Sequence, residues 1–591
     1  MPSITNLVWI SVPLILAAIV YQLGFATIAT ALPEFLTLGI LQGLIDETHC
    51  YASIKTLSSS QPQAECFTVS GGKFTKVYSD KTTAIDAVNG QTGHVIPGLW
   101  DGHGHLIQYG ELLNSVNLFG AESMDEVQQR LVHYKNSRPE LGTSQQWVRG
   151  VGWDQAKFDG RYPVASDLEI GDDFKDQYVM LDRVDIHCIW VSQKVLDLLP
   201  SPLPQVPGGE IPEKGVFCDN AMDIVMPYYP RPNKETKTKF IKDAMEELNK
   251  LGIVGMHDAG VLSADINLYE QLVNDEDWNV RVYAMLECGT RNTFCPDEAR
   301  RFSTPNGKLH ARSVKLFGDG ALGSWGSAMI EPYRDKPESS GSLLVNASTL
   351  SDVTKDWATA GFQVNIHAIG DLANRNAIDA FLGTLNLLCP EISPRQCQKQ
   401  NRFRIEHSQI IHPDDQIRMF EFGIIPSIQP THATSDMPYA ESRLGKKRTK
   451  EEAYLMRSLL KLNPVLGSDF PVEPANVFEG IYAAVTRRSP HTGLNSTGGT
   501  DGWYPAETLT LQQALIGFTA NPAYASFLEG KAGVIQTGAY ADWVVLDEPL
   551  DTTDVESLRK VTVKETWVAG KRVYKRPEAE DLPPHGSSES G

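Results

Sequence analysis

At 591 residues the chain can bury a large core, and its 41% apolar composition is that of a globular protein. A net charge of −20 with no basic run excludes a nucleic-acid or anionic-membrane surface, because both need clustered Lys and Arg.

Residues 1–49 stand apart, with no charged side chain before Glu34 and an almost wholly apolar stretch, LVWISVPLILAAIVY, from Leu7 to Tyr21. This reads as a signal peptide cleaved near Ala29–Pro33 (ATALP), or as a membrane anchor if the span continues through Ile28. Either sends the chain into the secretory pathway, secreted or membrane-attached with its other domains lumenal or extracellular. The cysteines agree: Cys50 and Cys66, Cys288 and Cys295, and Cys389 and Cys397 lie close in sequence outside CxxC spacing, as local disulfides of an oxidising compartment do. Asn346-Ala347-Ser348 and Asn495-Ser496-Thr497 are glycosylation acceptors there.

Residues 50–96 alternate short β-stretches with turn residues (SSSQPQ, VSGGK, VNGQTG), and residues 531–576 carry GAYADWVVLD and VKETWVAGKRVY. The two ends predict one small β-sandwich. Between them, residues 97–530 repeat a short apolar strand followed by a helix-like segment. The strands are VIPGLW before His103, then GIVGMHDAG, VRVYAMLEC, SVKLFGDG, QVNIHAIG, RFRIEHSQ, GIIPSIQP and NPVLGSDF. Eight βα units predict an α/β fold, a distorted (β/α)8 TIM-type barrel whose active site lies where the strands end. A long piece, about 110–250, becomes an insertion after strand one, a lid or substrate wall. The tail, 577–591, is polar, Pro-rich and expected to be disordered.

The chemistry starts at VIPGLWDGHGHLIQYG. His103 and His105 are two apart, so on an extended strand they share a face, and Gly102 and Gly104 keep the backbone slim beside them. Two neutral imidazoles at a strand end suit a divalent metal such as zinc. Lys315, His367, His407 and Asp469 fall at the ends of strands four, five, six and eight. Each alone reads as a structural residue; six donors at one mouth read as a metal centre.

VIPGLWDGHGH, VKLFGDGALGS, NIHAIGD, RIEHSQIIHPDD, PSIQPTHATSD and GSDFPVEP resemble, in order, the amidohydrolase superfamily, in its amidohydrolase-3 branch that includes N-substituted formamide deformylase. The resemblance spans roughly Cys50 to Tyr574. It implies one or two divalent ions, most naturally Zn, held by His103, His105, His367, His407 and Asp469, with Lys315 matching a lysine that is carboxylated in related subgroups. It implies a small-molecule amide or formamide substrate, cleaved at a non-peptide carbon–nitrogen bond by metal-activated water. Asp469 would accept and return the proton, and His432 in QPTHATSD would steady a developing oxyanion. Trp153 and Asp154 in GVGWDQ, and Arg183, Asp185 and His187 in DRVDIHCIW, resemble insertion motifs on the substrate side. His257 reads as closing strand two, beside the ligands or in the core. Trp325 and Leu372 stand where relatives often carry Arg.

Two other readings fit the same residues: a deaminase of a cyclic amidine or ring amine, and a non-catalytic membrane-tethered scaffold. The intact set of six donors argues against the scaffold. A homo-oligomer is compatible with the sequence.

Overall fold

A computed structural model describes residues 46–81, 91–551 and 553–578. The expected leader up to residue 45 and the tail beyond 578 lie outside the described residues. Among the described residues, no helix is long and apolar enough to cross a membrane.

The centre is a barrel of eight strands: β1 (Leu99–Gly104), β2 (Ile253–Leu262), β3 (Arg281–Glu287), β4 (Leu309–Phe317), β5 (Gln363–Ala368), β6 (Arg404–His407), β7 (Ile425–Ile428) and β8 (Val465–Leu466). They pair in that order, parallel throughout. Each overlaps a strand expected from sequence, although Val95–Pro97 of the first expected strand pairs in the two-ended sheet instead. Such strands are covered on both faces, and every residue of β5 and of β6 is buried. The covering helices supply apolar stripes at helical spacing. The helix Lys234–Lys250 starts where Asn233 accepts from the Thr236 N–H, and it buries Phe240, Ile241, Ala244, Met245 and Leu248.

β8 is only two residues long, so the barrel closes through the loop beyond it. Gly104 bridges to Phe470, the His105 N–H donates to the Phe470 carbonyl at 2.8 Å, and the Asp469 N–H donates to the His103 carbonyl at 2.7 Å. A Cβ on Gly102 would sit 2.2 Å from Val465, which is why glycine is needed at this crossing.

Both chain ends meet in a seven-stranded sheet. Its centre pairs His94–Pro97 with Trp543–Leu546, and three strands from residues 47–78 and two from 563–575 flank them. The expected sandwich is one continuous sheet that curls until the Phe74 backbone bonds to Gly538 and Ala539. Tyr51, Phe67, Phe74 and Trp543 fill the fold it makes.

The insertion is a domain-like body of its own, leaving the barrel after the helix Leu106–Leu113 and returning at the helix Lys234–Lys250, which packs on it. Its six-stranded sheet buries apolar residues on both faces, around Trp153 and Trp190 on one and Met180 and Phe217 on the other.

All eight cysteines are paired. The three local disulfides expected from sequence are present, and the fourth, Cys188–Cys218, spans 30 residues to join two insertion strands. That pairing carried no sequence signal, because the two half-cystines come together only through the antiparallel register of Cys188–Val191 with Val216–Asp219. Four disulfides are the chemistry of an oxidising compartment. Removing Cys188–Cys218 by a double alanine substitution is expected to cost about 3 kcal/mol. Denaturant unfolding checks this, and an unchanged midpoint contradicts it.

Candidate metal centre

The strand ends bring His103, His105, Lys315, His367, His407 and Asp469 to one mouth, together with His432 from the helix Pro430–Asp436 that follows β7. Two donor groups of metal-binding shape form there, sharing Asp469. His103, His105 and Asp469 make one, His407, His432 and Asp469 the other, with donor atoms in each group within 4.8 Å. Asp469 Oδ1 lies 3.0 Å from His105 Nε2 and 3.4 Å from His103 Nε2. Its Oδ2 lies 3.8 Å from His432 Nε2 and 3.9 Å from His407 Nδ1.

Local backbone makes this convergence possible. Simple alternation along β6 would send Glu406 and His407 to opposite faces. His407 (φ 71°) and Ser408 (φ 45°) are left-handed, which breaks the alternation, so both side chains turn inward. Asp469 is also left-handed, at φ 64°. It lies beyond β8 rather than on it, and the buried Asp101 holds it there. The Asp101 carboxylate accepts from the His103 N–H at 3.0 Å, from the Ser468 N–H at 3.1 Å and from Ser468 Oγ at 2.6 Å. Burial raises the Asp101 pKa to about 7 in spite of those donors.

Three of the imidazoles, those of His103, His367 and His407, are held neutral. Burial first, then Lys315, pulls His103 down to about 4, and burial first pushes His367 and His407 well below the usual range. Two of them have one nitrogen already engaged: His103 Nδ1 lies 2.6 Å from Glu406 Oε2, and His407 Nδ1 lies 3.0 Å from Gln429 Oε1. A carboxylate oxygen only accepts, so His103 Nδ1 carries the proton and its Nε2 keeps the lone pair. Burial pushes Asp469 up, but His103 and the bond from His105 outweigh that and keep it ionised.

Lys315 is buried with Nζ 3.3 Å from His103 Nε2, and burial lowers its pKa. His367 turns toward Asp319, with Nε2 3.6 Å from Oδ1. Asp319 itself is pinned by the N–H groups of Ala328, Ile369 and Gly370. Its GDG segment is visible in the sequence, yet only the fold shows what its carboxylate holds. His257 lies in the middle of β2, not at its end, and its Nδ1 meets Arg404.

Of the insertion residues expected near substrate, His187 reaches the mouth. Its ring is 5.6 Å from that of His367, and its Nδ1 is 2.8 Å from Asp219 Oδ1. Arg183, Asp185 and Asp154 form a network behind it, in which Arg183 also bonds Gln155 Oε1 at 2.6 Å. Trp153 is fully buried in the insertion core, donating to the Leu181 carbonyl at 2.9 Å. The structure does not bring it to the mouth. A cavity of about 760 Å3 runs between the insertion and the ends of β1 to β3, past Ile107, Ile186, Asp258, Gly260, Glu287 and Pro471.

The donor set fits a divalent cation: imidazoles and an ionised carboxylate converge, and His367 Nε2 and His432 Nε2 are buried without a hydrogen-bond partner. Barrel and donors together define the class, a metal-dependent hydrolase. The model of the amidohydrolase family matches residues 84–574, and the chain belongs to that family, in its amidohydrolase-3 branch. It is 28% identical to the Arabidopsis thaliana protein LONG AFTER FAR-RED 3, over 88% of this chain and 90% of that protein. It is 24% identical to N-substituted formamide deformylase of Arthrobacter pascens, over 89% of this chain and 97% of that enzyme. Among solved structures, an uncharacterized metal-dependent hydrolase from Pyrococcus furiosus superposes with a TM-score of 0.65 at 24% identity, covering 85% of this chain and 99% of that one.

Asp101→Ala is expected to strand the N–H groups of His103 and Ser468, at about 1–3 kcal/mol for each buried donor. Urea unfolding should show a loss of several kcal/mol, and wild-type stability would contradict the seam described here.

Proposed function

We propose that this protein hydrolyses a non-peptide carbon–nitrogen bond, in an amide or formamide, at a divalent metal centre built on His103, His105, His367, His407 and Asp469. The observation that carries this reading is the pair of donor groups sharing Asp469, with the accepting Nε2 of His103 fixed toward the mouth. When bound, a divalent cation, most naturally Zn, would acidify water and polarise a carbonyl. His432, within reach of Asp469, is an alternative ligand to His367 or a donor to the developing oxyanion.

The chain's own residues do the rest. Asp469 is ionised at neutral pH and accepts a proton at Oδ2, then returns it to the leaving nitrogen. His187, oriented by Asp219, faces the reacting end of the substrate from the insertion side, with Arg183, Asp185 and Asp154 holding that wall. The cavity beside Glu287 and Ile186 takes the substrate's remaining bulk, and Trp153 supports it from the insertion core. Lys315, buried and depressed in pKa, can react as a free amine with carbon dioxide, forming a carbamate that would add a negative oxygen ligand and release a proton. Paired cysteines support maturation in the secretory pathway, where the exposed Asn346 is open to glycosylation.

Asp469→Asn should keep most of the metal and lose turnover, since an amide oxygen still offers a lone pair but accepts no proton at neutral pH. The expected loss is on the order of 100- to 10,000-fold. His103→Ala and His105→Ala should instead lose the metal itself. Elemental analysis beside hydrolysis of an amide panel separates these, and near-normal turnover by Asp469→Asn would move proton transfer to another group, His432 first. Ammonia released from a heterocycle, with no amide cleaved, would replace the amide reading by deamination.

Ile186→Trp should narrow the cavity, raising KM for bulky amides while leaving formamides of small amines nearly unaffected. Equal effects on both would place the substrate elsewhere.

A further inference from the structure

A heavily connected pair of buried charges lies just beneath the mouth. Glu406 and Arg404 are both fully buried on β6, two residues apart and therefore on one face. Arg404 grips the carboxylate twice, Nε at 2.9 Å from Oε1 and Nη2 at 3.0 Å from Oε2. The same guanidinium donates to the Gly102 carbonyl at 3.0 Å and to Ser427 Oγ at 3.1 Å, and its Nη1 lies 2.6 Å from His257 Nδ1. One side chain thus ties β1, β2, β6 and β7 together around Glu406.

From this geometry we propose that Glu406, held by Arg404, is the positioning residue that fixes the tautomer and ring orientation of His103 for metal binding. The proposal rests on the metal centre argued above. A neutral imidazole has one N–H to place, and free in a cavity it places it on either nitrogen. Glu406 Oε2, 2.6 Å from Nδ1, accepts only, so the proton stays on Nδ1. Nε2 then presents its lone pair between Lys315 Nζ at 3.3 Å and Asp469 Oδ1 at 3.4 Å. A carboxylate behind a ligand imidazole also makes the ligating nitrogen more basic.

Arg404 makes this arrangement durable. Burial pushes the Glu406 carboxyl up, but Arg404 first and His103 next hold it far below the ordinary range, so the acceptor stays charged. His257 completes the set. Burial and then the guanidinium press its pKa well below the usual value, leaving it a neutral acceptor for Nη1. The line therefore runs His257, Arg404, Glu406, His103 and on to the mouth.

The test uses the metal-free full chain titrated with Co2+, whose visible absorption reports the ligand set. Glu406→Gln offers Nδ1 either an oxygen or an amino group, so both tautomers of His103 become populated. Co2+ affinity is expected to fall about 10- to 100-fold, with a weakened absorption band and an apo-protein circular dichroism spectrum like that of wild type. Because this variant leaves Arg404 without its carboxylate, the double variant Arg404→Met/Glu406→Met removes both charges together and should show the same loss of affinity. Wild-type affinity in either folded variant overturns the proposal. Nitrogen spectra of 15N-labelled histidine in unaltered apo protein give a check that needs no variant: a proton on His103 Nε2 at neutral pH also overturns it. Wild-type protein that takes up no Co2+ refutes the metal centre itself, whereas wild-type uptake with unimpaired Glu406→Gln refutes only the positioning role.

Discussion

The mouth depends on the seam where β1 meets the end of β8, and one buried carboxylate, Asp101, closes that seam. A strand of two residues cannot hold a ligand in place by ladder hydrogen bonds alone. Asp101 compensates by binding the His103 N–H and both donors of Ser468, and the backbone bond from Asp469 to His103 completes the junction. Two donors from opposite ends of a long barrel sequence are therefore neighbours because of one side chain. Glycine at 102 and 467 is the steric condition for it: a Cβ on Gly467 would lie 2.5 Å from the His103 nitrogen.

Charge is arranged in layers below and around that seam. Deepest lies the Arg404–Glu406 pair, compensated within itself and shut off from solvent. Above it the imidazoles of His103, His367 and His407 stay neutral because burial disfavours their protonated forms, and Lys315 adds to the effect at His103 and His367. At the top Asp469 remains ionised. A low-dielectric mouth with neutral nitrogens and one carboxylate is poor at holding protons and well suited to a cation. The same layering explains why unpartnered nitrogens persist at His367 and His432 in an interior whose other polar groups are mostly matched.

The insertion adds what the barrel lacks. Barrel strand ends make an open rim; the insertion sheet stands over β1 to β3, borders a large open cavity and brings His187 to face His367. The Cys188–Cys218 disulfide joins residues adjacent to His187 and Asp219, so the cross-link and the His187–Asp219 bond brace the same corner. In the proposed function, specificity and chemistry fall to different parts of the chain, one on an inserted wall and one on the strand ends.

The amino-acid sequence alone determined the eight strands, the two-ended sheet and the donors at the mouth, because short apolar runs, turn residues and H-x-H spacing are local signals that survive without tertiary context. It also contained three of the four disulfides, those whose cysteines are near neighbours in the chain. Only the tertiary structure decided the rest. Glu406, Arg404 and Gln429 sit inside quoted motifs, but nothing local says that a carboxylate on β6 meets an imidazole on β1. Trp153 looked like a substrate residue and is a core residue, since position along the chain does not tell which face of an inserted sheet is covered. His257 and Asp469 shifted relative to their strands because strand ends are set by pairing and by left-handed backbone, not by composition. The physical reason is common to all of these: a periodic pattern specifies what a residue's own element is, whereas the partner across 300 residues of chain is chosen by register, closure and burial.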